Sequence, residues 1–155
     1  MLNGLPSAAQ GFAAVFRSRP NRLLAPAHAA APDSAPYART LYAGWGDMDF
    51  NSHMRNTAYL DKAADVRQMY LKENGFPVEE FFRLKIGPVV MKDELEYFKE
   101  IGLQEQIEVS YALAGHSEDG SRFLLRHEIF RQDGKLGARV TSAGGWLDLN
   151  QRRLI

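Results

Sequence analysis

The sequence predicts an α+β fold in which one long helix lies across the concave face of a five-stranded antiparallel sheet. Three observations carry this. Tyr59, Ala63, Val66 and Tyr70 recur at spacings of four, three and four, the period of a half-buried helix. Four later segments read as strands joined by short turns, and strands joined that way run antiparallel. At 155 residues the chain suits one substantial core, which helix and sheet must share.

Residues 1–36 stand apart. They are rich in Ala and Pro, contain no acid before Asp33, and carry Arg17, Arg19 and Arg22 as their strong positive charges. Such a segment is expected to be a disordered or targeting-like N-terminal extension. The folded domain is then 37–155. Residues 37–45 alternate as an edge or half-buried strand, and the helix is expected over 54–73, with Gly75 capping its end and Pro77 beyond. A short helix follows at 78–84. Strands are expected at 86–97, 106–114, 122–131 and 135–149, with turns at "SEDGS" and Asp133-Gly134.

Composition narrows the function. Lys plus Arg equals Asp plus Glu, 19 against 19, so no basic field exists to hold a nucleic acid. The chain has no cysteine, which excludes disulfides, thiolate nucleophiles and Cys-based metal sites and fits a cytoplasmic setting. An organellar matrix becomes the expectation if 1–36 is a transit peptide. No apolar run approaches a membrane span.

The polar stretch "GWGDMDFNSHMRNTAYLDKA", residues 44–63, holds the chemistry. Asp47, Asp49 and Asn51 match the first ligands of a calcium loop. The glycine and the bidentate glutamate of that loop are missing, so no metal is expected. Gly115-His116-Ser117 starts like a nucleophile elbow but has Asp119 where the motif needs glycine, and Ser117 is read as a turn residue. His127, on a strand, is read as a surface or core residue. Asn51, Ser52 and Asn56 are good helix-capping residues, so a capped helix start would account for part of the polarity. The chemical reading uses the same geometry. Unpaired N–H groups at a helix start can hold a carbonyl oxygen as it becomes an oxyanion, beside a carboxylate that attacks or activates water.

Element order and motif together resemble the hotdog fold, and residues 45–67 resemble the motif region of the 4-hydroxybenzoyl-CoA thioesterase-like family. That family has a strand ending in an aromatic residue, an Asp-x-Asp, then a His, an Asn pair and a Tyr. Here these places are taken by Trp45, Asp47-Met48-Asp49, His53, Asn56 and Tyr59. Ser52 replaces the family's usual Gly, and Arg55 its first Asn. The resemblance implies a thioesterase that hydrolyses an acyl-CoA, with coenzyme A entering only as part of the substrate and no other cofactor. It implies Asp49 as nucleophile or general base and backbone N–H groups of Arg55, Asn56 and Thr57 as oxyanion donors. His53 and Asn56 would orient loop or water, Tyr59 would pack beneath, and Asp47 would be structural. It further implies a homodimer or homotetramer with the acyl group near Phe81, Phe82, Val89, Val90 and Met91. Lys92, Lys99, Arg122 and Arg126 are the candidate cations for the coenzyme A phosphates. The alternatives are a thioesterase for acyl carrier protein and a hotdog module that binds acyl thioesters without hydrolysis.

Overall fold

The computed structural model describes residues 37–155, and the expected extension over 1–36 lies outside them. Strand β1 (Tyr37–Tyr42) is followed by a 3-10 turn (Trp45–Asp47) and helix α1 (Ala58–Glu73). Then come α2 (Val78–Leu84), β2 (Ile86–Tyr97), β3 (Gln106–His116), β4 (Arg122–Phe130), β5 (Leu136–Asp148) and a short β6 (Arg153–Leu154). The sheet runs β1-β3-β4-β5-β2, antiparallel throughout, with β6 paired to β5. This is the hotdog arrangement, with β6 added to the five strands expected. No helix among the described residues is long and apolar enough to cross a membrane.

Helix α1 packs mainly on β3, with β1 and β5 to either side. Its buried face is Ala58, Tyr59, Ala63, Val66 and Leu71, so the periodic positions point inward, with Tyr70 half-buried. Its end is fixed locally. Gly75 takes φ 82°, where a Cβ would be strained. The Gly75 N–H then reaches the Lys72 carbonyl at 3.1 Å, and the Phe76 N–H reaches that of Leu71 at 2.8 Å. That paired closure, with Phe76 and Leu71 both buried, is a Schellman end.

The helix begins later than its sequence suggests. It starts at Ala58, and Thr57, at the N-cap, makes no capping bond with its side chain. Residues 54–57 belong instead to a loop whose backbone is tied to a distant segment, as described below. Trp45 likewise lies past the end of β1, in the 3-10 turn, and is 80% exposed.

Beneath the helix an aromatic column runs Tyr37–Tyr70–Tyr111–His127, with neighbouring ring centroids 4.6 to 5.3 Å apart. His127 is fully buried, as the core reading required. Its Nδ1 bonds the Ser110 carbonyl at 3.0 Å, while Nε2 has no partner among the described residues. Burial, then the nearby Arg67 guanidinium, push its pKa down to about 4. Below pH 6.5 the unfolded chain therefore takes up a proton that the folded chain refuses until about pH 4. The stability involved is complete above pH 6.5 and is lost as the pH falls through that window. Urea unfolding at pH 7.5 and pH 5 should show a fall of about 2 kcal/mol that His127→Asn does not share. Equal falls in both proteins would remove His127 from the acid sensitivity.

Candidate active site

The polar stretch folds into a compact loop between β1 and α1. Asp47 closes its first turn: Oδ2 accepts the Gly44 N–H at 2.8 Å, just past the end of β1, and pairs with Lys62 of α1 at 2.8 Å. Burial works against its charge, but Lys62 and the Gly44 N–H outweigh burial and hold its pKa below the usual carboxylate range. The Asp47 carbonyl also accepts the Arg55 N–H at 2.8 Å.

Asp49 closes the second turn. Its Oδ1 accepts the N–H groups of Asn51 at 2.8 Å and His53 at 3.2 Å, and its own N–H donates to the His53 carbonyl at 2.8 Å. Oδ2 has no bonding partner among the described residues. Ser52, in the middle of this turn, sits at φ 63°. Glycine takes that left-handed geometry freely; serine carries it at a cost of about 1 kcal/mol.

The turn is braced from behind by residues 99–105. The Met54 N–H donates to the Ile101 carbonyl at 2.7 Å, and His53 forms a bridge with Gly102. Glu105 fixes that brace, accepting the Gly102 N–H at 2.9 Å and pairing with Arg131 at 3.3 Å. These long-range bonds pull residues 54–57 out of the helix.

Asp49, His53, Met54, Asn56, Tyr59, Tyr97, Phe98, Lys99 and Glu100 line one open cleft of about 360 Å³. Tyr59 is buried at its floor, its ring edge-on to Tyr97 at 5.2 Å. Burial first, then the Tyr97, Glu105 and Asp49 side chains, push its pKa up to about 12, so it stays a neutral phenol. The Tyr97 hydroxyl donates to the Asn56 carbonyl at 3.0 Å. The N–H groups of Asn56 and Thr57 meet no acceptor among the described residues, whereas the Arg55 N–H is taken by Asp47. The Arg55 side chain holds the loop, donating to the Gly46 carbonyl and, at 3.0 Å, to the Thr57 hydroxyl.

Not every residue expected near the substrate shares this cleft. Phe81 is in the core, against Phe76 and Trp146, because its side of α2 faces the sheet. Phe82 points to solvent, while Val89, Val90 and Met91 lie along β2, an edge strand, outside the cleft. Of the candidate cations only Lys99 lines the cleft; Lys92 pairs with Glu94, and Arg122 donates to the Ser121 and Ile155 carbonyls. The sequence reading missed Tyr97, Phe98 and Glu100. The abrupt "YFKE" after the charged strand end was the available signal.

The sequence profile of the thioesterase-like superfamily matches residues 43–155, most of the chain and all of this site. The chain belongs to the thioesterase-like superfamily. It is a thioester hydrolase of the hotdog fold, the chemistry and fold of that family. Solved structures share the fold at low identity. A Staphylococcus aureus protein in complex with CoA is 18% identical with TM-score 0.71, over 81% of this chain and 78% of its own. The DHNA-CoA thioesterase of the same species is 19% identical with TM-score 0.70, over 76% and 78%. The 1,4-dihydroxy-2-naphthoyl-CoA thioesterase of Synechocystis is 13% identical with TM-score 0.67, over 78% and 88%. No curated protein matches the chain in sequence at a significant level.

Proposed function

We propose that the protein hydrolyses acyl-CoA thioesters, with Asp49 as the nucleophile. The observation that carries this is the Asp49 carboxylate, anchored through Oδ1 by two backbone N–H groups while Oδ2 is left unbonded in the cleft. Oδ2 attacks the thioester carbon. The charge that develops on the carbonyl oxygen is met by the Asn56 and Thr57 N–H groups at the start of α1. The C–S bond then breaks. A thiol of pKa about 8.5 leaves as thiolate without a strong general acid, which suits a site this sparse. Water finally hydrolyses the acyl–Asp49 anhydride. Lys99 at the cleft wall is placed to meet a coenzyme A phosphate. Structural neighbours that bind CoA or act on CoA thioesters support this choice of thiol over a carrier protein.

The functional unit is a homodimer or a larger homo-oligomer. Strand β2 is a twelve-residue edge with Val90, Met91 and Tyr97 exposed, and such an edge calls for pairing. Pairing there would bring Val89, Val90 and Met91 of a second copy towards the cleft.

The test is steady-state hydrolysis of short, long, branched and aromatic acyl-CoAs with the free thiol trapped colorimetrically, on protein sized by light scattering. Turnover of at least one acyl-CoA by a species of twice the chain mass or more is expected. Hydrolysis confined to acyl carrier protein, or none from folded protein, overturns the coenzyme A reading.

A further inference from the structure

Glu100 stands opposite the Asp49 turn, and its Oε2 lies 3.1 Å from Nε2 of His53. Both side chains line the cleft that holds Asp49. The contact joins two segments whose main chains are locked together, through the Met54–Ile101 hydrogen bond and the His53–Gly102 bridge. His53 is also held to Asp49 at both its N–H and its carbonyl. Imidazole, carboxylate partner and nucleophile are thus fixed to one frame. The pair is half exposed, 41% and 66%, so it adds little to stability. Its placement matters for chemistry instead. With Nε2–H donated to Glu100, the ring's lone pair is on Nδ1, the tautomer a general base needs.

We propose that His53 and Glu100 form a general-base dyad for the second half of the reaction, hydrolysis of the acyl–Asp49 anhydride. This rests on Asp49 being the nucleophile. The water oxygen bonds to the acyl carbon as His53 takes one water proton. The bond from that carbon to the Asp49 oxygen breaks, and its electron pair returns to Asp49 as carboxylate. The acid product sheds its remaining proton to solvent, and His53 passes its own to solvent or to the departed thiolate, giving one acid and one thiol per water. Glu100 stabilises the imidazolium that forms in between. The other ionisable groups facing the dyad are Asp49, Tyr59, Tyr97 and Lys99 in the cleft, with Glu105 behind it holding Gly102.

The experiment is stopped-flow thiol release on the full chain, using whichever acyl-CoA turns over best. It compares wild type with His53→Gln, Glu100→Gln, Glu100→Asp and Asp49→Asn. If the dyad serves the anhydride step, His53→Gln releases about one thiol per active site in a burst and then turns over roughly a hundredfold more slowly. Glu100→Gln shows the same burst with a milder slowing of about tenfold, Glu100→Asp recovers most of the rate, and thermal stability is unchanged. Slow turnover without a burst, or Glu100→Gln at the wild-type rate, overturns the dyad. Asp49→Asn should show no burst and turnover lower by at least about a hundredfold; wild-type turnover there would instead overturn the nucleophile.

Discussion

Asp49→Asn is expected to fold normally and to lose between about 10² and 10⁴ of its thioester turnover, roughly 3 to 5 kcal/mol in the barrier. The substitution keeps the size and planarity of the group. The amide oxygen can still accept the Asn51 and His53 N–H groups that hold the turn, so the loop has no reason to move. What disappears is the anionic oxygen facing the cleft. An amide oxygen is a poor nucleophile, and no second carboxylate occupies its place: Asp47 is committed to Gly44 and Lys62, and Glu100 to His53. The measurement is kcat/KM for the best acyl-CoA, with thermal unfolding alongside. An unchanged melting temperature with turnover at background assigns the chemistry to Asp49. Near-normal turnover would leave the Asn56 and Thr57 donors without the partner proposed for them.

How far this site could be read from the sequence depended on how local its parts are. The helix face, the limits of α2 and β2 and the two turns were legible because each is set by periodicity or by turn residues within a few positions. The motif was legible as a cluster, since Asp47 to Tyr59 are near neighbours in the chain. Its detailed shape was not. Asn51, Ser52 and Asn56 look like caps, yet the helix waits until Ala58, because residues 53 and 54 are bonded to Gly102 and Ile101. No short-range rule contains that contact. The opposite wall of the cleft was hidden for the same reason: Tyr97 reaches Asn56 across 41 positions. Phe81 and Phe82, read together as acyl lining, have different surroundings. Adjacent aromatics invited a shared role, but neighbours on a helix face different ways, and one fills the core while the other meets solvent.

Gly144→Ala should destabilise the fold on the order of 3 kcal/mol, with a melting temperature lower by roughly 10 °C. Gly144 lies in β5 between Phe123 of β4 and Val90 of β2. A Cβ there would stand 2.4 Å from the Val89 carbonyl oxygen and 2.5 and 2.7 Å from two atoms of the Phe123 ring. Neither neighbour can yield cheaply. The Phe123 ring packs edge-on against Trp146 at 5.6 Å, Trp146 stacks on Phe81 at 6.1 Å, and all three are buried. The Val89 carbonyl belongs to the β2 backbone, so moving it shifts the strand and disturbs its pairing with β5. The cleft residues Tyr97, the last residue of β2, and Phe98 just after it lie at the far end of that strand, past the register shift between Val90 and Lys92. Turnover per folded molecule at low temperature should therefore stay near wild type while the unfolding midpoint drops. Thermal unfolding with activity measured at about 10 °C separates the two: an unchanged midpoint would mean that the Phe123–Trp146–Phe81 stack is loosely packed, and a lost activity with an intact fold would mean that β2 transmits the strain to the cleft.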